Sequence, residues 1–194
     1  CTGNLARGVA VDDAEGASTL VITGISANVE PASGVSGISF KRSAGDIVLD
    51  ARTSSFTINA AAGADGILAQ TAGGLVRLTS ALGINGGDFG IRAITNRNVM
   101  LTNRGGLNNQ VLGGILVDID GRGGAATDID IVNSGAITTV VGAGRFAAIE
   151  LRSAGAGDTE IDNDGNLTIT QGGGSSDTAQ TGPHTYGIRF SGIG

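Results

Sequence analysis

The chain has few of the residues that cross-link small secreted folds or carry out most enzymatic chemistry. Its 194 residues include one Cys, one His, one Tyr, two Pro and no Trp. A single Cys cannot form an internal disulfide, and two prolines without a three-residue glycine period exclude collagen. No apolar run approaches the roughly 18 residues of a membrane-spanning helix, so none is predicted.

Basic residues are also scarce and dispersed. The chain carries 12 Lys and Arg against 18 Asp and Glu, a formal net charge of −6, and 11 of the 12 basic residues are Arg. Phosphate binding needs clustered Lys and Arg, whereas these arginines occur singly. The charge pattern therefore indicates no nucleic-acid partner.

Glycine and aliphatic residues are abundant. Glycine accounts for 35 residues, and Ile, Val, Leu and Phe together account for 50 of the 194. That apolar content is too high for a disordered chain. Glycine at such density would destabilise helices by about 1 kcal/mol at each interior position, so a β architecture is predicted.

A short pattern recurs along the chain: a small residue, then Ile, then, two positions later, another residue able to fill a core. The residue between these two can mostly face water, which is the alternation of a half-buried strand. The small-residue and Ile pairs are Gly37-Ile38, Gly66-Ile67, Gly90-Ile91, Gly114-Ile115, Ala148-Ile149 and Gly187-Ile188.

A second strand follows about ten residues on, or later where a loop is inserted. In four rungs a third element begins six residues after the last inward position of the second strand, at Ile84, Leu107, Ile137 and Leu167. The connecting segments of the last three complete repeats read apolar-x-Asn-x-Gly-x-apolar, with Asn103, Asn133 and Asn163 thirty residues apart. Asn and Gly tolerate positive φ, so we expect left-handed backbone at this corner. Stacked corners would also let the Asn side chains hydrogen-bond from one repeat to the next.

The predicted fold is an all-β, right-handed parallel β-helix of about five rungs with three short strands per rung. Leucine-rich repeats need a denser Leu pattern, a left-handed β-helix has shorter coils, and an immunoglobulin-type sandwich has no fixed corner spacing. Residues 1–36 are predicted to form an N-terminal cap and first strand segment, and residues 37–194 the rungs. Because Gly194 follows a strand pattern closely, we expect the native protein to continue; the alternative is a filament that assembles end to end.

Three segments resemble the passenger region of bacterial autotransporters, which are type V secreted, adhesin-like proteins. They are Cys1-Thr-Gly-Asn-Leu5, Gly34-Val-Ser-Gly-Ile-Ser-Phe40 and Asp130-Ile-Val-Asn-Ser-Gly-Ala-Ile137. The resemblance implies a β-solenoid displayed on the outside of a Gram-negative cell, with an outer-membrane β-barrel in the full-length protein. It also implies adhesion, autoaggregation or biofilm formation rather than catalysis.

Two acidic groups are candidate cation sites. The segment Asp162-Asn-Asp-Gly-Asn166 looks like part of a calcium loop, but it coincides with the recurring corner, and the twelfth position that an EF-hand fills with Glu is Gly173. An acidic strip on adjacent rungs is predicted to be either a solvated face or a patch for a cationic partner. Its members are Asp118, Asp120, Asp128, Asp130, Asp158 and Glu160.

We assign no catalytic, cofactor-binding or metal-binding residue. Asp128 and Asp130 are predicted to point outward together, which leaves a polysaccharide lyase or hydrolase as the less favoured alternative. Glu150 and Arg189 are predicted to form an exposed ion pair on adjacent rungs, and His184 is interpreted as a polar loop residue. Cys1 is either a lipid attachment point or a thiol near a cleavage site.

The longest variable segments are candidate contact regions. The loops at residues 121–126 and 171–184 are rich in Gly, Ser and Thr, and a solenoid tolerates insertions at its corners because each rung contacts only its neighbours. We expect deletion of residues 175–181 to leave the fold intact and to weaken surface binding or self-association.

Overall fold

The protein is built entirely from short β-strands in the part that a computed structural model describes, which is residues 3–13, 16–52, 55–119, 127–141, 146–153, 157–171 and 185–192. These ranges contain eighteen strands and no α-helix. In chain order the strands are β1 Val9–Val11, β2 Thr19–Ile22, β3 Ile38–Arg42, β4 Ile47–Ala51, β5 Thr57–Ala60, β6 Ile67–Thr71, β7 Val76–Ser80, β8 Gly83–Gly86, β9 Phe89–Thr95, β10 Val99–Asn103, β11 Leu107–Gln110, β12 Gly113–Ile119, β13 Ile129–Asn133, β14 Ile137–Val141, β15 Phe146–Ser153, β16 Thr159–Asn163, β17 Leu167–Gln171 and β18 Thr185–Gly192.

The strands form three parallel sheets, and each sheet receives every third strand of the regular repeat. The first sheet has the order β1-β3-β6-β9-β12-β15-β18, the second β2-β4-β7-β10-β13-β16, and the third β5-β8-β11-β14-β17. One strand from each sheet makes one rung, and successive rungs pair in parallel register. The predicted parallel β-helix is therefore confirmed.

The core is a stack of identical inward positions. In the first sheet, Ile38, Ile67, Ile91, Ile115 and Ile149 lie on one another in register and are fully buried. The third-sheet anchors predicted from the corner spacing, Ile84, Leu107 and Ile137, are also buried and stacked. The period-two pattern of each strand thus places one face of every sheet in a common interior.

The glycine before several of the first-sheet Ile residues is required by the corner between the third and first sheets. A Cβ atom at Gly66 would collide with Cγ2 of Ile84, and one at Gly114 with Cγ2 of Ile137. The backbone at the start of a first-sheet strand therefore lies against the inward side chain of the third-sheet strand that follows it in the chain. This close approach accounts for the recurring Gly-Ile pair.

The expectation of left-handed backbone at the Asn-Gly corners is wrong. None of the corner glycines Gly105, Gly135 and Gly165 has a positive φ. A Cβ atom at Gly135 would instead collide with the carbonyl oxygen of Gly105, and one at Gly165 with that of Gly135. Glycine is needed here because the corners stack closely along the solenoid axis.

Three positions expected to face water on the first sheet are buried. Leu68 is 9%, Leu116 0% and Glu150 3% exposed, although strand alternation directs all three away from the core. This stretch of the outer face is therefore covered.

The two ends of the described solenoid differ. At the first rung, β1 and β2 pair with β3 and β4, and the inward side chains there are buried: Leu20, Ile22, Ile25 and Val29. At β18, Phe190 continues the inward column of Leu151 but is 62% exposed, and Ile188 is 38% exposed. Val9 and Val11 of β1 are half-buried, so inward side chains are more covered at the first rung than at β18.

Candidate functional site

The carboxylates of the predicted acidic strip divide between two faces. Asp130 and Glu160 are register partners on the outer face of the second sheet, and Asp128 and Asp158 precede the same two strands. Asp118 lies instead in β12 of the first sheet, opposite Arg152. Asp120 lies outside the described residues.

The four second-sheet carboxylates line a shallow cavity of about 650 Å³, here called the acidic groove. Its walls are Asp128, Asp130, Asp158 and Glu160, and exposed Met100 lies at one side. Alternation with buried Ile129 and Ile131 directs Asp128 and Asp130 outward, as expected. Among the residues lining the groove none is basic, so its charge suits a cationic partner.

Some of these acidic side chains also accept structural hydrogen bonds at the corner before the second sheet. The Oδ1 atom of Asp128 accepts a hydrogen bond from the backbone N–H of Asp158 at 3.3 Å, and Oδ1 of Asn98 accepts one from the N–H of Asp128 at 3.1 Å. Oδ1 of Asp46 likewise accepts from the N–H of Leu75 at 2.8 Å. Asp and Asn at this corner therefore connect three pairs of neighbouring rungs.

The suspected calcium segment is the last described step of an asparagine ladder. Nδ2 of Asn103 donates to Oδ1 of Asn133 at 2.8 Å, and Nδ2 of Asn133 donates to Oδ1 of Asn163 at 2.7 Å. Each Nδ2 also donates to the carbonyl of the glycine two residues later, at 2.7–2.9 Å. The predicted rung-to-rung Asn bonding is thus confirmed.

Within the described ranges, no cluster of three or more His, Cys, Asp or Glu side chains is arranged to hold a metal ion. In the suspected calcium segment, Asp162 and Asp164 face solvent on either side of Asn163, whose amide is engaged in the ladder. The segment acts as a corner of the solenoid.

The Glu150–Arg189 pair forms, but the expectation that it is exposed is wrong. Arg189 Nη1 lies 3.4 Å from Glu150 Oε1, and Arg152 Nε donates to the same oxygen at 2.8 Å. The Glu150 side chain is only 3% exposed. The hydrogen bond to Glu150 raises the pKa of the Arg152 guanidinium. The positive charges of Arg152 and Arg189 compensate the negative charge of the buried Glu150 carboxylate between β15 and β18.

Sequence reasoning missed a second buried carboxylate, Asp65, at the corner before β6. Its Oδ1 accepts the backbone N–H of Phe89 at 3.3 Å, and Arg92 Nη1 lies 3.9 Å from its Oδ2. Arg92 also lies over the Phe89 ring, 5.8 Å from the centroid. Burial raises the pKa of Asp65, while Arg92 and the Phe89 N–H oppose that rise. The apolar residues around Asp65 in sequence carry no signal for it.

The raised pKa of Asp65 predicts a pH-dependent stability. A carboxyl whose folded pKa is raised stabilises the fold fully below its unfolded pKa of about 3.9, and that contribution is lost as pH rises through the folded value. We therefore expect the free energy of unfolding of the wild type, minus that of Asp65→Asn, to fall between pH 3.5 and pH 7. Urea unfolding followed by circular dichroism measures it. A difference that stays constant or rises with pH would contradict the assignment.

Several predicted features lie outside the described residues. They are Cys1, His184, the loop at residues 121–126, and all of the loop at residues 171–184 except its first residue, which ends β17. The structure therefore does not place the predicted contact loops.

Comparison with known proteins adds no relative. Neither a family model, nor a curated protein, nor a solved structure matches this chain. In the part of the chain that the structure describes, no helix is long and apolar enough to cross a membrane.

Proposed function

We propose that this chain is a non-enzymatic, adhesive β-solenoid displayed outside a Gram-negative cell, in the manner of an autotransporter passenger. The observation that carries the proposal is the use of polar corner residues. Asn163 and Asp128, which belong to segments that suggested cation binding or catalysis in the sequence, connect one rung to the next. Their chemistry supports a rigid rod, and a rod serves by holding contact surfaces away from the cell.

The rod offers long outer faces of different character. The second sheet carries the acidic groove, and the first carries the buried Glu150 with its two arginines. Loops inserted at the corners add contact regions without disturbing the stack. These features suit the binding of an extended partner surface better than the turnover of a small substrate.

Surface display tests the proposal. Cells that present the chain through a host outer-membrane β-barrel should adhere to surfaces or aggregate several-fold more than cells that present the barrel alone. A variant lacking residues 175–181 should be displayed equally, keep its melting temperature and adhere less. Equal adhesion with and without the chain would contradict the function, and unchanged adhesion of the deletion variant would reject that loop as a contact region.

A screen on acidic polysaccharides tests the non-enzymatic part. Cleavage that is abolished by Asp128→Asn or Asp130→Asn would replace adhesion with a polysaccharide lyase or hydrolase. We expect no cleavage by the wild type or by either variant.

A second candidate is a filament subunit that assembles end to end. An open edge of β-strands is a template for further pairing. A head-to-tail filament would also need the first rung to open, because Ile22 and Val29 are buried there. Fibres in electron micrographs that grow with concentration and are lost in Phe190→Asp would favour this candidate.

A further inference from the structure

The outer face of the third sheet carries no charged side chain in the central row of its five strands. Beyond the first of these strands the row meets Glu30, whose Oε1 accepts a hydrogen bond from Asn59 Nδ2 at 3.5 Å. One outward residue per rung forms that row, and parallel pairing holds the residues in register: Asn59, Asn85, Asn108, Thr138 and Thr168. We call these five residues the neutral face. The flanking outward positions are also small and uncharged: Thr57, Gly83, Gly106, Ala136, Asn166, Val140 and Thr170.

The other two outer faces differ in charge. The corresponding row of the second sheet includes Arg77, Asp130 and Glu160, and that of the first sheet includes Arg92 and Glu150. The chain has 30 charged residues in total, 12 basic and 18 acidic. An uncharged row across five rungs is therefore a distinct surface of the rod.

The neutral face offers hydrogen-bond donors and acceptors side by side. Asn85 Nδ2 donates to Asn59 Oδ1 at 3.1 Å, and Asn108 Nδ2 donates to Asn85 Oδ1 at 3.4 Å. An amide has two N–H donors and two acceptor lone pairs, so Asn85 keeps one of each for a partner. Within the described residues the hydroxyls of Thr138 and Thr168 are unpaired, and they extend the same row.

We infer that the neutral face is a contact surface for an uncharged polysaccharide; this inference rests on the adhesive function proposed above. A sugar hydroxyl both donates and accepts, as the exposed amides and hydroxyls do. The net charge of −6 disfavours polyanions, which meet no cation on this face, and the acidic groove is the better surface for a cationic partner.

The rung repeat suits a polymer rather than a single sugar. Rungs recur at about 4.8 Å along the axis, so an extended chain can meet the same kind of contact several times. None of the neutral-face residues is aromatic, and each contact lacks the stacking that strengthens sugar binding. Avidity over several rungs compensates for weak individual contacts.

Insoluble neutral polysaccharides provide the direct test. The purified full chain is incubated with cellulose and with starch granules at physiological salt, and the bound fraction is measured. The test variant is Thr138→Arg with Thr168→Arg on the neutral face. The matched control is Thr79→Arg with Thr102→Arg, which adds the same two charges to adjacent rungs on the second sheet. Thermal melting verifies that both variants are folded.

We expect the wild type and the control to bind at least one of the two polysaccharides, with little dependence on salt, and the neutral-face variant to bind at least tenfold more weakly. Absence of binding to both, equal loss in both variants, or equally strong binding to alginate would overturn the inference. Self-association or inhibition of ice recrystallisation that depends on Thr138 and Thr168, without polysaccharide binding, would assign the face to another partner and also overturn it.

The display experiment separates failure of this inference from failure of the adhesive function. Displayed cells that adhere equally with and without the two neutral-face substitutions would retain the adhesive function and reject the neutral face. Displayed cells that never adhere, beside a purified chain that binds cellulose, would reject adhesion while retaining the binding surface.

Discussion

Replacement of Gly135 by Ala should destabilise the solenoid by about 3 kcal/mol, the upper range for inserting an atom where the structure has no room. The new Cβ would collide with the carbonyl oxygen of Gly105 and would lie 2.9 Å from Nδ2 of Asn103. Backbone of the preceding rung cannot yield as a flexible side chain can. For a chain of this size the melting temperature should fall by roughly 10 °C.

The adjacent glycine of the preceding rung provides the control. At Gly106 a Cβ atom would lie 3.4 Å from Nδ2 of Asn108 and 3.9 Å from the carbonyl of Ala136, which are ordinary contacts. The next rung has Ala136 at the equivalent corner position. Gly106→Ala should therefore melt within about 2 °C of the wild type, or slightly above it. Gly135→Ala melting at the same temperature as Gly106→Ala would show that close stacking does not determine the corner glycine.

Much of this architecture is readable in the sequence because a solenoid repeats its local environment. The Gly-Ile pairs locate the first sheet, and the thirty-residue spacing of Asn103, Asn133 and Asn163 locates the ladder. Each of these positions contacts its own equivalents above and below. A periodic sequence is the direct consequence of that contact pattern.

The physical reason for the corner glycines was not readable. Sequence alone associates Asn-Gly with positive φ, which is the common cause in isolated turns. Here the glycines are required by backbone in the neighbouring rung, thirty residues away. A glycine that is required by close stacking looks the same in the sequence as a glycine that is required by a positive φ.

The buried outward positions and the neutral face were not predicted, for another reason. Leu116 and Glu150 occupy outward positions, and only tertiary structure shows that they are covered. In the neutral face, the first Asn residues are 26 and 23 apart, whereas the ladder steps are 30. Corners differ in length, so the number of residues per rung varies. Residues that form one line in space therefore have no constant spacing in sequence.

Replacement of Asn133 by Asp should remove the donors at the centre of the asparagine ladder. Nδ2 of Asn133 donates to Asn163 Oδ1 at 2.7 Å and to the Gly135 carbonyl at 2.9 Å, and the side chain is fully buried. A carboxylate oxygen in that place would face two acceptors and carry an uncompensated buried charge. We expect the free energy of unfolding at pH 7 to fall by about 3–5 kcal/mol.

The loss should diminish in acid, because a protonated carboxyl can donate one of the two missing hydrogen bonds. Burial among acceptors should raise the pKa of the introduced carboxyl above its unfolded value of about 3.9, so the variant recovers stability relative to wild type as pH falls through the folded value. Ser134→Asp adds the same charge at an exposed neighbouring position and should show little loss at either pH. Chemical unfolding at pH 4 and pH 7 measures both variants. Equal destabilisation by the two, or a deficit at Asn133→Asp that does not shrink in acid, would mean that the ladder amide is not a buried donor on which neighbouring rungs depend.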